Sequence, residues 1–136
     1  MVEFALVAMV LFLMLFGVFE ISHLVFTINS VNNGAREATH WAALHPTTLS
    51  SGCTSSSCSA ATNTAVKQAI SQTLFLVDTN NATDFNLTVS CPTCSGTDPY
   101  PPVTVSVQYT VHLAVPFPFV GSSYVVSSAS TALVER

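Results

Sequence analysis

The chain has 136 residues, of which 49% are hydrophobic and only 7% charged, with a formal net charge of −4. That length suits one domain plus an N-terminal segment, and the charge content lies far below the roughly 25% of an ordinary soluble domain. Its only cations besides histidine are Arg36, Lys67 and Arg136, which excludes the basic footprint of a nucleic-acid-binding protein.

No residue from Phe4 to Phe19 is charged, and a lone acid, Glu3, stands just ahead of this run. Only Glu20, Ser22, His23 and Thr27 interrupt it before Asn29. The pattern predicts one long helix over residues 1–45. Its first half is apolar on every side and therefore requires burial all round. In its second half Ile28, Val31, Ala35, Ala38 and Ala42 recur at three- and four-residue spacing, a single apolar stripe. Asn29, Asn32, Asn33, Arg36, Glu37 and His40 take the remaining surface. Such a helix is roughly 65 Å long, about twice a bilayer core, so one half sits in apolar surroundings and the other docks on a globular domain. Gly17 and Gly34 each weaken it by about 1 kcal/mol relative to Ala. Asn33-Gly34 is also a turn signal, which leaves a rival reading of two helices broken there. Pro46 sets the helix end at about Leu44 or His45. Nothing basic precedes the run, so it lacks the n-region of a secretory signal peptide. The expectation is a retained segment in a chain that is either mature or short of a leader.

Residues 46–60 are small and polar and read as a loop. Ser59 or Thr62 then caps a second helix, with Val66, Ala69, Ile70, Thr73, Leu74 and Val77 on one face and its end near Asp78. A polar turn occupies 78–84. Phe85, Leu87 and Val89 alternate with polar residues in a first strand. Val103, Val105, Val107, Tyr109, Val111, Leu113 and Val115 fill every odd position of a second, the signature of a half-buried antiparallel strand. Pro116-Phe117-Pro118-Phe119 is expected to stop it, because proline cannot donate to a ladder. A third strand spans 124–134. The fold class is α+β: an N-terminal helix over 1–45, then a head domain over 46–136 with a second helix and a three- to four-stranded antiparallel sheet.

Four cysteines form two close pairs in sequence, Cys53/Cys58 and Cys91/Cys94. Their Ser/Thr/Pro-rich surroundings downstream of the apolar run favour structural disulfides in an extracytoplasmic setting. Three connectivities exist, and the two local pairs are preferred. Cys91-Pro92-Thr93-Cys94 follows a strand rather than opening a helix, against a thioredoxin-like redox site. A zinc site from all four cysteines satisfies the count but lacks an intracellular setting. The histidines have no metal-ligand spacing, and no GxSxG or phosphate-binding glycine loop occurs. No enzyme, cofactor or metal is expected. Asn81 and Asn86 open glycosylation sequons, and the Ser/Thr cluster from Thr47 to Thr64 is a candidate for O-linked sugar.

Val-Glu-Phe-Ala-Leu-Val before the apolar run, Phe19-Glu20, and Asn33-Gly34-Ala35-Arg36-Glu37-Ala38 resemble the TadE-like pilins of tight-adherence secretion systems, within the type IV filament superfamily. The strand, the Pro-Phe-Pro break and the ending Ala132-Leu133-Val134-Glu135-Arg136 fit the same pattern. The resemblance implies a leader cut by a prepilin peptidase, a helix that holds the subunit in the inner membrane, and a pilus assembly machinery that moves it into an extracellular homo-oligomeric filament used in attachment. The acid stands about two positions nearer the chain start than in type IV pilins generally.

A carboxylate deep in hydrocarbon costs roughly 2.5–3.5 kcal/mol on insertion scales. Two readings of Glu3 follow. It pairs with the Met1 amine of its own or a neighbouring subunit inside a filament, next to Phe4, or it lies at lipid headgroups. Glu20 and His23 are spaced for an i, i+3 contact. That pair is either a buried polar contact setting helix register or a membrane-edge position where Glu20 snorkels to water. The assembly residues expected from the sequence are thus Met1, Glu3, Phe4, Glu20 and His23. The alternatives to a polymerising subunit are a single-span anchored binding domain and a minor or priming pilin at a filament tip. An open apolar stripe after residue 28 would favour the filament, and a stripe fully covered by the chain's own sheet the anchored monomer.

Overall fold

A computed structural model describes residues 2–54, 57–74, 77–92, 94, 101–117 and 121–134. Helix α1 runs unbroken from Val2 to Leu44. The apolar run propagates it, and Asn33-Gly34 does not interrupt it. Gly34 instead serves packing: a Cβ there would collide with the side chain of Leu74. The turn signal is therefore a place of close approach between α1 and the segment beyond the second long helix.

The stretch expected as loop contains structure. Helix α2 spans Pro46–Gly52 with proline in its first turn, where the missing N–H is one no helix would use. Leu49 anchors it at 1% exposure. Strands β1 (Cys53–Thr54) and β2 (Ser57–Cys58) form a two-stranded antiparallel ladder. Helix α3, Ala60–Ile70, is capped by Ser59, whose hydroxyl accepts from the Thr62 amide. It ends eight residues before the expected Asp78 region begins to turn, at about two helical turns short. The Ser71 and Thr73 hydroxyls donate to the carbonyls of Gln68 and Ile70, each at 2.8 Å, and a turn replaces the last part of the expected helix. Leu74 and Val77 are buried nonetheless, so the apolar face continues beyond the helix that was expected to carry it.

Strands β3 (Phe85–Ser90), β4 (Pro102–Phe117) and β5 (Gly121–Leu133) build an antiparallel sheet in the order β3-β4-β5. β4 passes through Pro116, where a stop was expected. Its register with β5 breaks between His112 and Phe117, so the proline falls in a stretch without a regular ladder partner, which is where it is tolerated. Pro118 and Phe119, the rest of the expected break, lie outside the described residues.

α1 packs mainly across β5 and β4, and less extensively on α3. The stripe Val31, Ala35, Ala38 and Ala42 is fully buried against Val103, Val105 and Val107 of β4. Three alanines in that stripe let the helix backbone come close to the sheet. Thr39 reinforces the contact: its hydroxyl lies 2.7 Å from the Ala35 carbonyl and 3.2 Å from that of Ser130 in β5. On the other edge, the Asn63 side-chain oxygen of α3 accepts from the Val89 amide at 3.1 Å.

Candidate assembly surface

Helix α1 has two environments. From Phe4 to Phe19 its large side chains are exposed around the whole circumference, with Phe4 at 80%, Leu11 at 56% and Phe19 at 70%. An 18-residue window of this helix reaches a mean hydropathy of 2.6 and is almost entirely bare. By length and composition it can cross a membrane. An apolar surface this large is not left to water by a folded protein.

The change occurs at Glu20, which is only 7% exposed between the bare Phe19 and Ile21 and is engaged within the chain. His23 is half-buried one turn later. Thr27 is fully buried, and its hydroxyl donates to the His23 carbonyl at 2.9 Å. Glu20 therefore opens the face of α1 that rests on the head. Glu3 is exposed near the far tip beside Phe4. Met1 lies outside the described residues.

Arg36 and Thr39 were not singled out from the sequence as site residues. Arg36 sits where two grooves meet along α1 and the outer strand β5. One, of about 650 Å³, is walled by Asn29, Asn32, Asn33 and the Ser128–Thr131 segment. The other, of about 350 Å³, is floored by Ala43, Leu44, Ala132 and Leu133. Arg36 makes no ion pair among the described residues. The signal available in the sequence was that Arg36 is the sole Lys or Arg before Lys67.

The remaining candidates lie on the head. Cys53 and Cys58 face each other across the β1–β2 ladder at a Cα separation of 3.9 Å, and Cys91 and Cys94 span a turn at 5.4 Å, both pairs at disulfide distance. Each closes a short loop, so the chain-entropy account gives about 2 kcal/mol per bridge. Under reducing conditions the sheet keeps its circular dichroism spectrum while protease cleavage near 53–58 speeds up; collapse of the sheet signal would contradict this. Asn81 is exposed but tied into its turn. Its side-chain nitrogen donates to Asp84 at 2.6 Å and its oxygen accepts from the Thr83 hydroxyl at 2.6 Å. Asn86 points outward from β3, opposite Gln108. His112 pairs with Asp84 at 3.0 Å. His45 stacks on Trp41 with ring centroids 4.0 Å apart and donates from Nδ1 to the Trp41 carbonyl. Among the described residues no group of three or more His, Cys, Asp or Glu is placed to hold a metal.

No curated protein and no solved structure matches the chain. The family model for TadE-like proteins matches residues 1–40. That span holds the bare apolar rod, Glu3, Glu20, His23 and Arg36, and over it the chain is similar to TadE-like proteins.

Proposed function

We propose that this chain is a structural subunit of a tight-adherence pilus, held in the inner membrane by α1 and then polymerised into an extracellular filament with the rods of sister copies packed together. The observation that carries the reading is the bare circumference from Phe4 to Phe19 on a segment that matches TadE-like proteins. Removing apolar area from water contributes about 25 cal/mol per Å². Transfer out of lipid gains nothing comparable, because lipid tails are equally apolar. Packing between rods and an assembly machinery therefore have to drive that step. Processing by a prepilin peptidase belongs to the same proposal. The head contributes surface and attachment, with a role that needs no reaction.

The covered stripe from Val31 to Ala42 favours a second reading, a single-span anchor displaying a binding domain. It removes the open stripe that a filament would have supplied there, so any contact between copies has to use the rod and the opposite face of α1. A minor subunit at a filament tip would use the same surfaces. Electron microscopy of the full chain after detergent removal separates the two main readings. Fibres are expected, whereas dispersed particles or vesicle-bound monomers would favour the anchor.

A further inference from the structure

Within α1, one acid stands at the tip of the bare rod and one cation stands in the groove beside β5. Glu3 is exposed and enters apolar surroundings whenever the rod does, so it has the strongest need for a compensating charge. Arg36 is exposed on the flank of α1 beside β5 and makes no ion pair among the described residues. In a straight helix the two are about 50 Å apart at 1.5 Å per residue, so no copy can join its own pair. We propose that Arg36 receives the Glu3 carboxylate of a second copy of this chain, the two α1 helices lying parallel with an axial offset of about 50 Å.

The lining of the groove agrees with the parallel sense. With Glu3 beside Arg36, the incoming rod's Val7 and Val10 run past His40, Ala43 and Leu44, toward the apolar floor completed by Leu133. The trough lined by Asn29, Asn32 and Asn33 lies on the other side of Arg36. Reversing the direction would set the apolar run on the asparagines. The contact joins two different surfaces of the same chain, so each copy offers a free Glu3 at one end and a free Arg36 at the other. Such a heterologous contact does not close on itself and extends into a filament.

This inference rests on the polymer reading, and charge exchange in the full chain tests the two separately. Glu3→Lys and Arg36→Glu each lower fibre yield roughly tenfold or more, as expected when one member of a desolvated pair faces a like charge. The doubly exchanged chain recovers fibres. Head melting, followed by circular dichroism, is unchanged in Arg36→Glu, because that side chain is exposed. Wild-type yield from Arg36→Glu, or failure of the double exchange to recover, would overturn the pairing and leave the polymer standing. Absence of fibres from the wild-type chain would overturn both.

Discussion

Leu11→Arg lowers membrane insertion roughly a hundredfold and blocks fibre formation while the head stays folded. Leu11 lies in the middle of the bare run and is 56% exposed in the single chain, so whatever covers it in the cell is outside the chain. Both candidate surroundings, lipid and sister rods, are apolar. An arginine at the centre of a membrane helix costs about 2.5–3.5 kcal/mol on insertion scales, which is roughly a hundredfold in partition. In a polymer the penalty recurs in every copy, with like charges brought together. Fractionation and sedimentation read the loss, and the circular dichroism of the head serves as the control. Wild-type amounts of membrane-bound or fibrous protein would mean that residues 4–19 are not buried in apolar surroundings.

The second large effect lies inside the head. Ala38→Asp removes its cooperative unfolding transition. Ala38 of α1 is fully buried in the core that the helix forms with the valines of β4. A carboxylate there loses its water, and a buried unpaired charge costs several kcal/mol. A small domain has about 5–15 kcal/mol in total. Ala38→Leu adds volume without charge and costs less, about 1–3 kcal/mol by overpacking. Thermal melting followed by circular dichroism ranks the three chains. A sharp melt for the Asp variant near that of the parent would show that α1 is not seated on the sheet through this stripe.

The two substitutions separate the rod from the docked half of the same helix, and that division was legible in the sequence. Phe4 to Phe19 has no polar face to turn outward, while Val31, Ala35, Ala38 and Ala42 recur with helical period. Both features are local and survive without tertiary information. The β4 alternation was equally plain, since Val103, Val105 and Val107 all point to one side of a pleated strand. What escaped was set by contacts distant in sequence. Gly34 reads as a turn until Leu74 is seen filling the space a Cβ would occupy. Pro116 reads as a strand end until the register break beside it removes the ladder position it would spoil. The short helix Pro46–Gly52 hides in Ser/Thr composition because its one apolar anchor, Leu49, has no periodic companions. The helix after Ser59 reads as longer than it is because buried Leu74 and Val77 continue its apolar pattern after the hydroxyls of Ser71 and Thr73 have turned the chain.

The candidate site was legible in part for the same reason. Glu3 stands out as the only charge before Glu20 in the apolar segment, but its partner depends on how copies lie beside one another. Glu20 looks equally suited to a membrane edge or a buried contact, and its 7% exposure comes from the docking of α1 on the head. Arg36 looks like an ordinary surface cation until the grooves on either side of it are seen.

On the proposed reading, sister molecules shield the rod from Phe4 to Phe19. Electron cryomicroscopy of fibres grown from the full chain tests it most directly, in cross-section. Helical density packed at the fibre axis with the heads outside is the predicted image. Discrete single particles, or fibres with heads at the axis and the rods facing solvent or lipid, would contradict it.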